Sequence, residues 1–294
     1  MCAPLATAGL FLGYISQLEA GEVGPMASYA PPAPVSDCDA CNTPGGYGGV
    51  SLLYLKPYGS DGSEGDGDWD LGARGTLGFE RPDGLFYELN GFWYEGEFDP
   101  ELGNFESIDS DITAYYIEGL IGDNLYCGEA CLDVAFGLRY ANLETERTSV
   151  RFVDDPFFGP PYTQRSTNTE EFEGIGPVIR IDGTRRLTDQ VTLYGGLSQA
   201  ILFGETDSTF SDTYTAAAND TTPPPGSIPS NSSGGSSRDE LAFVTEIEAG
   251  LLFHFNMGQV QGAHLRVGIE GQYWSIGRND LGLLGGVLGV GFNF

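Results

Sequence analysis

The chain contains two imidazoles, His254 and His264, and five thiols, Cys2, Cys38, Cys41, Cys127 and Cys131. Acid–base or nucleophilic catalysis would have to run through this small set. Ser198 stands in Gly196-Leu197-Ser198-Gln199-Ala200, which resembles a nucleophile elbow only superficially, because it lies mid-strand and not at a strand-to-helix turn. The two histidines are expected to face each other inward across the Met257 hairpin, away from the rim where a surface protease would work. A hydrated structural pair is the plainer reading than a metal ligand pair or a pH sensor. The expectation is a protein that is not an enzyme and carries no cofactor and no catalytic metal.

Cys38-x-x-Cys41 and Cys127-x3-Cys131 allow either a four-thiolate zinc site or one or two disulfides. The second spacing is loose for zinc and the chain reads as exported, so disulfides are favoured, with the pairing open. The acidic run Asp61-Gly62-Ser63-Glu64-Gly65-Asp66-Gly67-Asp68 fails the EF-hand pattern, since position six is Asp66 and position twelve is Gly72. Loose binding of divalent cations at such loops is the modest expectation.

These groups sit on a chain of 294 residues with 13 Lys plus Arg, 42 Asp plus Glu and a net charge of −29. So few cations exclude a nucleic-acid partner. With 40% hydrophobic residues, 12% aromatics and 44 glycines, the composition is that of an all-β protein that folds. A signal peptide is expected over residues 1–20, although its basic start is missing, and a Pro/Gly-rich periplasmic linker over 21–47. Beyond that leader no uninterrupted apolar run is long enough for a membrane helix.

From residue 48 onward, segments near ten residues alternate with period two, the length of a tilted membrane strand. Leu132, Val134, Phe136, Leu138 and Tyr140 share one face, and so do Leu265, Val267, Ile269 and Tyr273. Leu288, Val290, Phe292 and Phe294 repeat the pattern at the carboxyl end. The strands are expected at 48–58, 69–80, 85–98, 108–121, 131–145, 172–187, 190–204, 240–256, 263–275 and 283–294. They become twelve if the Glu205–Asp239 loop hides a hairpin. Tight connections alternate with long ones, which predicts an up-and-down antiparallel barrel over 48–294 in a bacterial outer membrane, termini periplasmic and long loops extracellular. Aromatics near strand ends, among them Tyr54, Trp69, Phe79, Trp93, Phe98, Phe253, Phe255 and Tyr273, suit interfacial girdles. A soluble β protein remains the competing reading, because alternation alone does not say which face looks outward.

Tyr47-Gly48-Gly49-Val50-Ser51-Leu52-Leu53-Tyr54-Leu55-Lys56-Pro57-Tyr58, Trp69-Asp70-Leu71-Gly72-Ala73-Arg74, Phe136-Gly137-Leu138-Arg139-Tyr140 and Phe172-Glu173-Gly174-Ile175-Gly176-Pro177 resemble the Legionella-type major outer membrane protein family. That resemblance would cover Tyr47 to Phe294 and implies a porin-like role.

Projected inward, the alternation places Asp70, Arg74, Glu80, Glu88, Glu118, Asp133, Arg139, Arg180, Asp182, Glu246, Glu248, His264, Arg266 and Glu270 in the lumen. If small residues leave a gap, these charges line a weakly cation-selective channel for small hydrophilic solutes. If the charges pair across strands, they plug the barrel and leave a structural or surface-binding role. The small-residue content and the resemblance favour the pore. The expected partners are outer-membrane lipid and lipopolysaccharide, and the barrel assembly machinery through the strand ending in Phe294.

Overall fold

The computed structural model describes residues 44–59, 67–97, 107–126, 130–154, 161–216, 230–257, 260–277 and 279–294. The expected signal peptide, most of the linker, Cys38, Cys41, Cys127 and the start of the acidic loop lie outside the described residues.

The alternating segments form ten strands: β1 Gly45–Gly59, β2 Asp70–Glu80, β3 Phe86–Glu97, β4 Ser107–Tyr126, β5 Ala130–Val153, β6 Tyr162–Arg186, β7 Val191–Ala216, β8 Ser232–Met257, β9 Val260–Ile276 and β10 Asn279–Asn293. Each pairs antiparallel with its neighbours in chain order, and β1 pairs with β10 to close the barrel. The closing ladder runs to the last residue, where Gly46 N donates to Phe294 O at 2.9 Å and Phe294 N to Gly46 O at 2.7 Å. Among the described residues no helix is long and apolar enough to cross a membrane. Both ends of the barrel sequence lie at one rim, the turn end. There Gly84 adopts φ 90° in the Arg81–Leu85 turn, a conformation that favours glycine.

The outward face settles the choice that alternation left open. Ile269 is 65% exposed, Val50 63%, Leu138 61% and Phe203 61%. Such a continuous apolar belt, facing away from the interior, is at home in hydrocarbon and not in water. Trp69 and Phe79, both exposed, sit near opposite ends of β2. Ten residues at about 3.4 Å, tilted by roughly 40°, separate them by about 26 Å, matching the apolar band of an outer-membrane barrel.

Four strands exceed their expected lengths by nine residues or more. β5 continues to Val153, β6 begins at Tyr162, β7 continues to Ala216 and β8 begins at Ser232, so much of the expected Glu205–Asp239 loop is strand. It hides no extra hairpin: Glu205 pairs with Asp239 and Asp212 with Ser232, which lengthens β7 and β8. β9 stops at Ile276 opposite Ala242, and beyond that point β8 is paired with β7 only. The periodic signal fades in this extension because both faces can be polar there, while backbone pairing continues.

Replacing Ile269 by Arg should destabilise the barrel in lipid vesicles by about 2–4 kcal/mol. Equilibrium urea unfolding reads this directly. A change within about 0.5 kcal/mol, normal for an exposed site in water, would reject the lipid-facing assignment.

Candidate functional site: the charged waist

Along the strands, inward residues change character at a common height. Read from the loop end, β4 passes from Ile112 and Ala114 to Tyr116 and Glu118, and β8 from Ala242 and Val244 to Glu246 and Glu248. β9 passes from Ile276 and Trp274 to Gln272 and Glu270. Antiparallel register brings these switches level, and the result is a belt of charge across the middle of the barrel.

Arg74 reaches from β2 across the interior to β9 and holds Glu270 with both terminal nitrogens, at 2.7 and 2.9 Å. It also donates to Glu246 at 3.1 Å and Glu248 at 3.4 Å on β8. From the other wall, Arg139 on β5 donates to Glu118 at 2.6 and 2.8 Å, to Ser198 at 3.1 Å and to Glu246. Glu246 thus bridges Arg74 and Arg139, and accepts a further bond from the Tyr116 hydroxyl at 2.9 Å. Arg180 forms a second strap, meeting Glu88 at 3.2 Å and Asp182 at 2.7 Å. Arg266 pairs with Glu248. The Arg139 guanidinium lies 3.9 Å from the centre of the Tyr116 ring, which itself stacks on Phe92 at 5.2 Å.

The Arg139 side chain has 0% exposure and that of Glu118 1%. The cavity left inside this network measures about 20 Å³, room for about one water molecule. On the loop side of the waist the interior is apolar and packed: Leu53, Leu55, Tyr94, Phe172, Leu202, Val244, Trp274 and Leu283 are all buried.

The small residues expected to leave a gap instead receive large side chains. Gly250 and Gly268 are cross-strand partners, and a Cβ at either would collide with the Tyr194 side chain, its ring at Gly250 and its hydroxyl at Gly268. Gly174 seats the Phe172 ring and Gly122 the Phe86 ring in the same way. At these positions the volume surrendered at glycine is filled by an aromatic from a nearby position.

All fourteen residues expected in the lumen face inward on their strands. Arg74, Glu88, Glu118, Arg139, Arg180, Asp182, Glu246, Glu248, Arg266 and Glu270 join one network of ion pairs across the waist. Asp133 lies directly opposite Asp182 on β6. Asp70 stands apart at the loop end, where its carboxylate accepts from Glu97 N at 3.0 Å. Missing from the expected set were Asn90, Gln272 and Tyr116, which share the inward phase but carry no charge to flag them. Asn90 links Glu88 at 2.7 Å to Glu118 at 3.2 Å.

Ser198 is tied into the waist through Arg139. His254 lies eight residues along β8 from Glu246, the strand partner of Ser198, or roughly 27 Å at strand rise. No serine–histidine dyad forms. Cys131, the only cysteine among the described residues, is disulfide-bonded; its sulfur is thereby unavailable to a four-thiolate zinc site.

Residues 113–277 match the family model described as Legionella pneumophila major outer membrane protein precursor. No curated protein matches the sequence. Among solved structures, the outer membrane protease OmpT of Escherichia coli superposes with a TM-score of 0.51 at 8% identity, covering 85% of this chain and 97% of that one. That likeness is one of fold. The attachment invasion locus protein Ail of Yersinia pestis covers 86% of this chain and 100% of its own at 14% identity, with a TM-score of 0.31. For the Pseudomonas putida toluene transporter TodX the figures are 86%, 90% and 8%, with a TM-score of 0.35.

Arg139→Ala removes the cation between two buried carboxylates and should cost about 3–5 kcal/mol. Arg81→Ala, which breaks only the exposed 2.9 Å pair with Asp83, should cost no more than about 1 kcal/mol. Denaturant unfolding of the two variants side by side checks the contrast.

Proposed function

The chain belongs to the Legionella pneumophila major outer membrane protein family, and on that premise we propose that this outer-membrane β-barrel is closed at rest and acts through its outer surface and its protruding strands. The observation that carries the reading is the waist. Arg139, fully buried, is neutralised by Glu118 and Glu246 from different walls, and about 20 Å³ is left beside them. A hydrated solute needs a continuous wet path, and an apolar core above the charged belt interrupts it.

The short turns at one rim and the long strands at the other support an orientation with both barrel ends periplasmic and the β5–β8 extension outside the cell. Just beyond the apolar residues Ile175, Phe203 and Leu241, the extension carries Glu173, Glu205 and Asp239. These three are exposed and directly opposite one another on β6, β7 and β8. Like charges in such positions repel, and the arrangement supports divalent cations bridging this row to lipopolysaccharide phosphates. Continuous pairing of β10 through Phe294 supports delivery by the barrel assembly machinery.

One observation favours a second reading, a narrow cation-permeable channel for small hydrophilic solutes. Inward carboxylates at Glu88, Glu118, Asp133, Asp182, Glu246, Glu248 and Glu270 outnumber the guanidiniums of Arg74, Arg139, Arg180 and Arg266. An opened waist would therefore attract cations.

Planar-bilayer recording separates the two. The refolded barrel, verified by heat-modifiable gel migration, is expected to give no stepwise current under a salt gradient. Steady single-channel steps, with a reversal potential that moves in the Glu246→Gln/Glu248→Gln variant, would overturn the closed reading and establish the channel.

A further inference from the structure

The protruding sheet is bounded by two edges, and they differ. On one side the exposed edge is short, because β3 stops at Glu97 opposite Asp111 and β4 begins at Ser107. On the other side β9 stops opposite Ala242, and Ser232–Leu241 of β8 pairs with β7 alone among the described residues. At strand rise this free edge is roughly 30 Å long.

The direction of its amides follows from the ladder. His254 N donates to Gln190 O, just before β7, at 2.8 Å. From there the β7–β8 register continues without a bulge, from Val191 opposite Phe253 to Asp212 opposite Ser232. Successive residues of an antiparallel strand turn their backbone groups to alternate sides, so the even-numbered residues of β8 face β7. Ser233, Gly235, Ser237 and Asp239 therefore turn N–H and C=O to the free side.

Sheets ordinarily blunt such an edge with Lys, Pro, a bulge or an inward charge. From Ser232 to Ser237 none of these occurs. The adjoining cation, Arg238, is held on its own sheet by Glu170 at 2.9 Å and Glu240 at 3.1 Å. Beside the edge the outward face is acidic: Asp239 lies opposite Glu205, Glu205 opposite Glu173, and Asp207 opposite Glu171. The partners that hold Glu173, Glu171 and Glu205 are neutral, namely Tyr140, Asn142 and Ser237.

We propose that the free edge of β8 takes up an added β-strand from a basic partner polypeptide. Main-chain bonds to Ser233, Gly235, Ser237 and Asp239 supply the affinity, and Ser and Gly along the edge leave the incoming side chains unselected there. Selection is by charge. Every second residue of the added strand lies on the face of Asp239 and Glu205, where Lys or Arg is favoured and Asp or Glu repelled. A second copy of this chain, with its net charge of −29, does not meet that requirement. This role rests on the surface-acting reading given above; channel steps in a bilayer would remove that reading, whereas peptide binding reports on the edge alone.

The probe is a labelled peptide of about ten residues alternating Lys and Thr, long enough to span the edge. It is titrated by fluorescence anisotropy against the refolded full-length protein in nonionic detergent at about 0.15 M salt. Saturable binding is expected. Methylating the alternate peptide nitrogens that face β8 removes donors, keeps the charge and should weaken binding at least about tenfold. Exchanging Lys for Glu should abolish it. In the protein, Ser237→Pro removes an edge N–H without touching the β7 ladder and should weaken binding about tenfold. Ser237→Thr keeps that N–H and should bind as the parent does, both variants being checked for heat-modifiable migration. Absence of saturable binding by the folded parent would overturn the proposal. So would undiminished affinity for the methylated peptide, or for the unmethylated one in a folded Ser237→Pro variant, because attraction to the acidic face would then account for all of the binding.

Discussion

An unpaired backbone amide facing hydrocarbon costs several kcal/mol, and the contact on which the rest of this molecule depends is the ladder between β1 and β10. It runs from Tyr47 opposite Asn293 to Gly59 opposite Leu281, and it removes the last free edges that a ten-strand sheet would present to lipid. Closure also dictates the inside. Once the sheet is a cylinder, every second residue of every strand is committed to one narrow volume, and those side chains must satisfy one another.

The interior meets that demand in two layers. Apolar side chains pack on the loop side, and ionised ones interlock at the waist, where Glu246 receives hydrogen bonds from Arg74, Arg139 and Tyr116. Burying charge is costly, and a buried ion pair is seldom more stable than a hydrophobic replacement of the same volume. Breaking one partner is costlier still. The network is therefore best understood as a specification of register: a shift of one residue on β4, β5 or β8 would turn its carboxylate or guanidinium to lipid. The same network occupies the waist of the lumen, so the feature that fixes the register is also the one on which the closed reading rests.

Outside the membrane the constraint relaxes. In the extension of β5 to β8 water can solvate either face, so serine, threonine and acidic residues replace the alternation without loss of pairing. This explains why Glu205 to Ala216 and Ser232 to Asp239 read as loop in the sequence and yet form strand.

Much of this was already decided by local pattern. Period-two alternation in Leu132 to Tyr140 and in Leu265 to Tyr273, the spacing of turns and the terminal phenylalanine pointed to ten strands, or twelve if the Glu205–Asp239 loop held a hairpin, to antiparallel order, and to one shared face for Arg74, Glu118, Arg139, Glu246 and Glu270. A residue's face follows from strand geometry alone, and the sequence carries it. What those inward residues do to one another depends on which strands lie across the lumen, and that is a tertiary fact. Arg74 meets Glu270 from 196 positions away, and no spacing rule connects them. Nor could composition reveal that glycines at 250 and 268 are seats for Tyr194 and not openings in a wall. The sequence determined a barrel with charge inside it; only closure of the sheet decided that the charge would interlock, because pairing across a lumen is set by circumference and register and not by neighbours in the chain.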